Sequence, residues 1–148
     1  MGMTRLFSHR VSEEKVRYFK KGNAYTGQLG NCFAIIIRNE EGYTGIYHMY
    51  NISWDKELRE NVLHKVEMMK KEIPGQKKAV IIGCADDDNY KKKLKQIEER
   101  LKDVEIIGRS VGGNGILIEV EIDIRKGEIE VRKFAVHGSE KLKKEFVF

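Results

Sequence analysis

Residues 33–37, Phe-Ala-Ile-Ile-Ile, leave the chain little freedom. A short apolar run this rich in β-branched residues reads as a strand buried on both faces. Asn39-Glu40-Glu41-Gly42 follows as a polar turn, and Tyr43 to Met49 has strand composition again. Two antiparallel strands joined by a short loop bring the start of the first beside the end of the second. Cys32 stands at that start and His48 at that end, so the hairpin itself makes them neighbours. Thr26 precedes the cysteine by six positions, and the turn Gly30-Asn31 sits directly before it.

These residue types belong to one kind of chemistry. A thiol becomes an effective nucleophile as the thiolate, and a neighbouring imidazole drives that change. A third side chain that orients the imidazole completes such a set, and Thr26 is the candidate. The backbone N–H groups of a tight turn at Gly30-Asn31 can converge on one point and stabilise an oxyanion. The alternative is plain: a free cysteine is also a small buried hydrophobe.

The order Thr-x-x-Leu-Gly-x-Cys, apolar strand, turn, Gly-x-x-His resembles the chemoreceptor glutamine deamidase family, CheD. Here the motif falls on Thr26, Leu29, Gly30, Cys32, Gly45 and His48. Val111-Gly112-Gly113-Asn114-Gly115 and the later Lys126-Gly127-Glu128-Ile129-Glu130-Val131 look like that family's Gly-Gly segment and closing hairpin. Ile81-Ile82-Gly83-Cys84-Ala85 is similar to its internal strand and turn. The Thr/Cys/His plan is also similar to that of toxins of the cytotoxic necrotizing factor type. The resemblance implies a Cys32-His48-Thr26 triad, with Gly30, Asn31, Gly112 and Gly113 around the site. It implies hydrolysis of a glutamine side-chain amide on a partner protein through a thioester, with no cofactor and no metal. It further implies chemoreceptors as substrates and a chemotaxis phosphatase as partner. A toxin-like deamidase acting on a host protein stays open, as does a non-catalytic binding module of the same fold. The second arises because Tyr47-His48-Met49-Tyr50 departs from the family pattern around the histidine. Because a protein-borne glutamine must reach Cys32, a shallow, open site is expected.

Bulk properties narrow the rest. A chain of 148 residues, 41% hydrophobic and 34% charged, is one soluble globular domain with a substantial core. With one proline and no low-complexity tract, no linker stands out. No apolar stretch approaches the roughly 20 residues of a membrane span. Two cysteines and no secretion signal suggest free thiols and a cytoplasmic location. The net charge of +5 is spread among interleaved acids, which argues against nucleic acid. Lys91-Lys92-Lys93 is read as a solvated helix face.

Residues 1–24 read as an N-terminal extension, with Val11–Phe19 undecided between strand and helix. Leu58, Val62, Val66, Met69 and Ile73 recur at helical spacing after an N-cap at Ser53, and Pro74-Gly75 ends that helix. Trp54 at its start is assigned to the core. Ala79–Ile82 is a strand. Asp87 or Asp88 caps a second helix carrying Tyr90, Leu94, Ile97 and Leu101, and the run Asp86-Asp87-Asp88 is not read as a metal loop. Cys84 is the lesser candidate nucleophile. Val104–Gly108 is a strand, and residues 116–124 alternate as a long strand with one buried and one mostly wet face. A partner strand carries Ile129 and Val131, and residues 137–148 read as a tail or short helix. His9, His64 and His137 are assigned to solvent. The order β-β-α-β-α-β-β-β predicts an α+β fold. The family resemblance adds a mixed β-sheet sandwich with two main helices on an outer face.

Overall fold

The computed structural model describes residues 9–12, 14–27, 29, 32–49, 56–83, 88–110, 116–135 and 141–148, with backbone alone at 56–58, 88–90, 135 and 141–143. Within these residues run β1 (His9–Arg10), β2 (Val16–Phe19), β3 (Asn23–Thr26), β4 (Phe33–Asn39), β5 (Thr44–Met49), α1 (Lys56–Glu72), β6 (Lys77–Gly83), α2 (Asp88–Arg100), β7 (Glu105–Ser110), β8 (Ile116–Asp123), β9 (Glu128–Ala135) and β10 (Lys141–Val147). The strands form two sheets, ordered β1-β3-β8-β9-β10 and β2-β5-β4-β6-β7. The fold is therefore α+β. No helix among the described residues is long and apolar enough to cross a membrane.

The second sheet is the middle layer. Residues Phe33–Ile37 of β4 are all buried, because both faces of that strand are covered. Phe33, Ile35 and Ile37 point to the helices, where they meet Val62, Val66 and Met69 of α1, Ile73 directly after it, Ile97 of α2 and Leu101 directly after it. Ala34 and Ile36 point the other way and pack with Ile118, Val120, Ile122, Ile129 and Val131 of the first sheet. The alternation of side chains along a strand separates these two sets. Asn39 closes the β4–β5 hairpin: its Oδ1 accepts from the N–H groups of Glu41 and Tyr43 at 3.1 and 3.0 Å. Gly42, at φ +87°, completes the turn in the left-handed region that suits glycine. The strands β6 and β7 run parallel, which requires a crossover, and α2 is that crossover.

Four expectations need correction. Residues 1–24 are not simply an extension: β1 pairs with β3 in the first sheet and β2 with β5 in the second. Residues 141–147 are a strand paired along its length with β9, not a tail or helix. Its lysines suit an edge position, where charge discourages pairing with another chain. Lys93 is buried at 5% exposure, although Lys91, Lys92 and Lys95 are solvated. Lys93 lies one helical turn before Ile97, so it shares the inward stripe, and a lysine's long stem tolerates that. Glu121 on the supposedly wet face of β8 is also buried. Arg132 covers it with a charge-assisted hydrogen bond of 2.5 Å while also reaching Glu119 and Glu130 at 3.6 and 3.3 Å.

Candidate active site

The β4–β5 register places the candidate nucleophile and base. Ala34 is the Cα partner of His48. Cys32 lies two residues before Ala34 and shares its apolar cluster between the sheets. Cys32 and His48 are thus diagonal neighbours on one face, a spacing of about 7–8 Å between Cα atoms and less between side chains. The first sheet supplies the third residue. On β3, Ala24 and Thr26 are buried while Asn23 and Tyr25 are partly exposed, so Thr26 points into the space between the sheets. There its Oγ1 lies 2.7 Å from His48 Nδ1.

The same hydroxyl lies 2.9 Å from the carbonyl oxygen of Val11 and donates to it. A hydroxyl has one proton, and a carbonyl only accepts. Thr26 therefore accepts from Nδ1–H of the imidazole, which places the lone pair of the neutral ring on Nε2. This is the tautomer a base needs if it takes a proton through Nε2. The main chain at His48 is held as well: Glu14 N–H donates to its carbonyl at 2.8 Å, and its own N–H donates to Lys15 O at 3.2 Å. On the helix side of β5, burial first and then the carboxylate of Glu14 push the Tyr47 phenol up, so it stays neutral.

Two glycines shape the surroundings by close approach. A Cβ on Gly83 would lie 2.2 Å from the Cys32 carbonyl oxygen, and its φ of +137° is unfavourable for other residues. Gly83 is the Cα partner of Phe33, so β6 presses on the backbone that carries Cys32. A Cβ on Gly45 would meet Ile73 Cδ1 at 2.9 Å and the Tyr18 ring at 3.0 Å. The bare backbone there lets α1 and β2 pack close to β5. Leu29, another motif residue, is buried, and its N–H donates to Ile118 O at 3.0 Å, pinning the approach to Cys32 onto β8.

The expectation of a shallow, open site is overturned. Cys32 is 5% exposed, and His48 and Thr26 are each 2% exposed. The reason is parity: Cys32 and His48 lie on the inward face of the second sheet, and Thr26 lies on the facing side of the first. A cleft of about 410 Å³ lies elsewhere, lined by Arg38, Asn39, Lys77, Lys78, Glu105 and Phe148 among others. It sits at the far end of β4, roughly 20 Å along the strand from Cys32, and plays no part in this constellation.

Gly30, Asn31, Gly112 and Gly113, together with Trp54, Cys84, Asp86, Asp87 and His137, lie outside the described residues. His9 and His64 are exposed. Sequence reasoning missed the Val11 carbonyl and the main-chain grip of Glu14 and Lys15. A backbone acceptor has no sequence signature, so no residue type could have announced them. Searched against models of known protein families and against curated proteins, the chain matches none.

Proposed function

We propose that this chain is a cysteine-dependent amidohydrolase that deamidates a glutamine carried by a partner protein. The observation that carries this reading is the Thr26–His48 contact, with the threonine proton committed to Val11 O. It orients a neutral imidazole beside the face that bears the one thiol among the described residues. In the proposed reaction, Nε2 of His48 takes the Cys32 proton and the thiolate attacks the amide carbon. The tetrahedral oxyanion collapses to a thioester as the imidazolium protonates the departing ammonia. His48 then activates water, which releases glutamate and restores the thiol. Thr26 stabilises the imidazolium by accepting from Nδ1–H throughout.

Burial of the trio supports a slender substrate. Glutamine has an unbranched side chain that can deliver its amide to a recessed thiol while the rest of its protein stays outside. Burial penalises both charged forms, so the thiolate forms as an ion pair with the imidazolium, whose mutual attraction the low-dielectric setting strengthens. The likeness of the Thr-x-x-Leu-Gly-x-Cys and Gly-x-x-His segments to CheD supports chemoreceptors as the substrate class, a chemotaxis phosphatase as partner and a cytoplasmic setting. The test is incubation with the cytoplasmic part of a chemoreceptor, followed by mass spectrometry for conversion of glutamine to glutamate. Conversion is expected with the native chain and not with Cys32→Ser. Absence of conversion across receptors, with a reactive Cys32, would move the substrate to another protein. Absence of a reactive Cys32 would leave a binding module.

A further inference from the structure

We propose that Lys65 of α1 is a positioning residue for His48, acting through Glu14 and Lys15 in the strap between β1 and β2, whose described residues are 11, 12, 14 and 15. This rests on the reading of His48 as the base for Cys32. The strap grips both halves of the site. At one end Val11 N–H donates to Tyr25 O at 2.8 Å, which fixes the carbonyl that Thr26 uses. At the other end Glu14 N–H and Lys15 O hold the main chain of His48. Val11 on one side and Glu14 with Lys15 on the other thus hold Thr26 in the first sheet and His48 in the second.

The strap contains a backbone conformation that does not hold itself. Glu14 sits at φ +61°, the only non-glycine residue described with positive φ. A side-chain-bearing residue stays there only when its surroundings over-determine it. Lys65 supplies that restraint. Its Nζ donates to the Glu14 carbonyl at 2.9 Å and reaches the Glu14 carboxylate at 3.3 Å. The same ammonium lies 5.4 Å from the centre of the Tyr47 ring, on the residue preceding His48. An exposed ion pair by itself contributes little. The bond to the carbonyl differs, because it acts on the peptide unit between the Glu14 N–H, which donates to His48 O, and the Lys15 carbonyl, which accepts from His48 N–H.

The experiment uses the full chain labelled with ¹⁵N at histidine. The native protein is expected to show His48 as a single tautomer protonated at Nδ1. Lys65→Met keeps the stem but removes the donor. It is expected to shift His48 towards a tautomer mixture and to slow Cys32 alkylation roughly three- to tenfold, the size of coupling carried by one intermediate contact. Lys65→Arg should restore both readouts. Glu14→Gln, which keeps the carbonyl, should stay close to native. Glycine adopts positive φ without being held, so Glu14→Gly combined with Lys65→Met should return the tautomer towards native, and this variant relieves strain if Lys65→Met folds poorly. A single Nδ1–H tautomer and native alkylation in Lys65→Met, or no recovery in the double variant, would overturn the proposal. An unreactive Cys32 in the native chain would defeat the enzyme reading instead, while the tautomer shift would still report the grip of Lys65.

Discussion

The two faces of β4 and β5 use the same few residues for opposite ends. Towards the helices, Phe33, Ile35, Tyr47 and Met49 meet an apolar layer. Towards the first sheet, Ala34, Ile36 and Ile46 make an equally buried layer, but Cys32, His48 and Thr26 are set within it. Both faces exclude water, so the difference lies in which polar groups are satisfied. Burying an imidazole and a hydroxyl without partners costs heavily. Here each finds one: Nδ1–H has Thr26, and the Thr26 hydroxyl has Val11 O. At Nδ1 of His48 and at the Thr26 hydroxyl, the chain of hydrogen bonds ends on a carbonyl of main chain that is itself fixed.

That contrast is open to attack on both faces. Truncation on the helix face should act through stability alone. Ile35→Ala is expected to cost about 2–5 kcal/mol, measured by denaturant unfolding, while Cys32 in the folded fraction keeps native reactivity. Gly83→Ala should join the two effects. Its Cβ collides with the Cys32 carbonyl, and the expected cost is about 1–3 kcal/mol of overpacking, accompanied by loss of fast Cys32 alkylation. If Gly83→Ala is as stable and reactive as the native chain, the close approach has no role. On the sheet face, Thr26→Val leaves shape nearly unchanged but removes the hydrogen bond to the imidazole together with that to Val11 O. A loss of about 1 kcal/mol should lower the alkylation rate roughly five- to tenfold, with stability less affected than by Ile35→Ala.

The smallest effect belongs to a pair remote from both faces. The Lys70 ammonium holds the Asp103 carboxyl below the usual carboxylate range, chiefly through a 2.8 Å hydrogen bond. Its ionised form is therefore favoured by folding. That contribution is present above the ordinary value of about 3.9 and is lost as pH falls through the lowered one. Asp103→Asn should flatten the acid side of the stability profile slightly, because exposed pairs contribute little. A loss of stability as large at neutral pH as that of Thr26→Val would contradict this ranking.

Much of the frame was legible because its patterns are local. The runs at 33–37 and 79–82 lie within β4 and β6, and β8 covers all but the last residue of 116–124; Val62, Val66 and Met69 lie in α1 and Ile97 in α2, with Ile73 and Leu101 directly past the helix ends. The placement of Cys32 and His48 on one face followed from hairpin geometry. What escaped depends on distant chain. Val16–Phe19 becomes a strand because β5 offers it an edge, and Lys141–Val147 because β9 does. Neither has a strong period of its own. Burial of Lys93 and Glu121 ran against residue type, and in Glu121 the cause is Arg132, eleven positions away. The openness of the site was misjudged because the need of a substrate says nothing about which face of a strand a thiol occupies.

The central claim is that His48, held by Thr26, makes Cys32 a thiolate at neutral pH. The most direct measurement is the alkylation rate of Cys32 against pH, followed by mass spectrometry, in the native chain and in His48→Ala. The account predicts fast reaction with a midpoint well below the ordinary thiol value of about 8.5, abolished by His48→Ala. Reaction no faster than an ordinary thiol, or a profile that His48→Ala leaves unchanged, would contradict it.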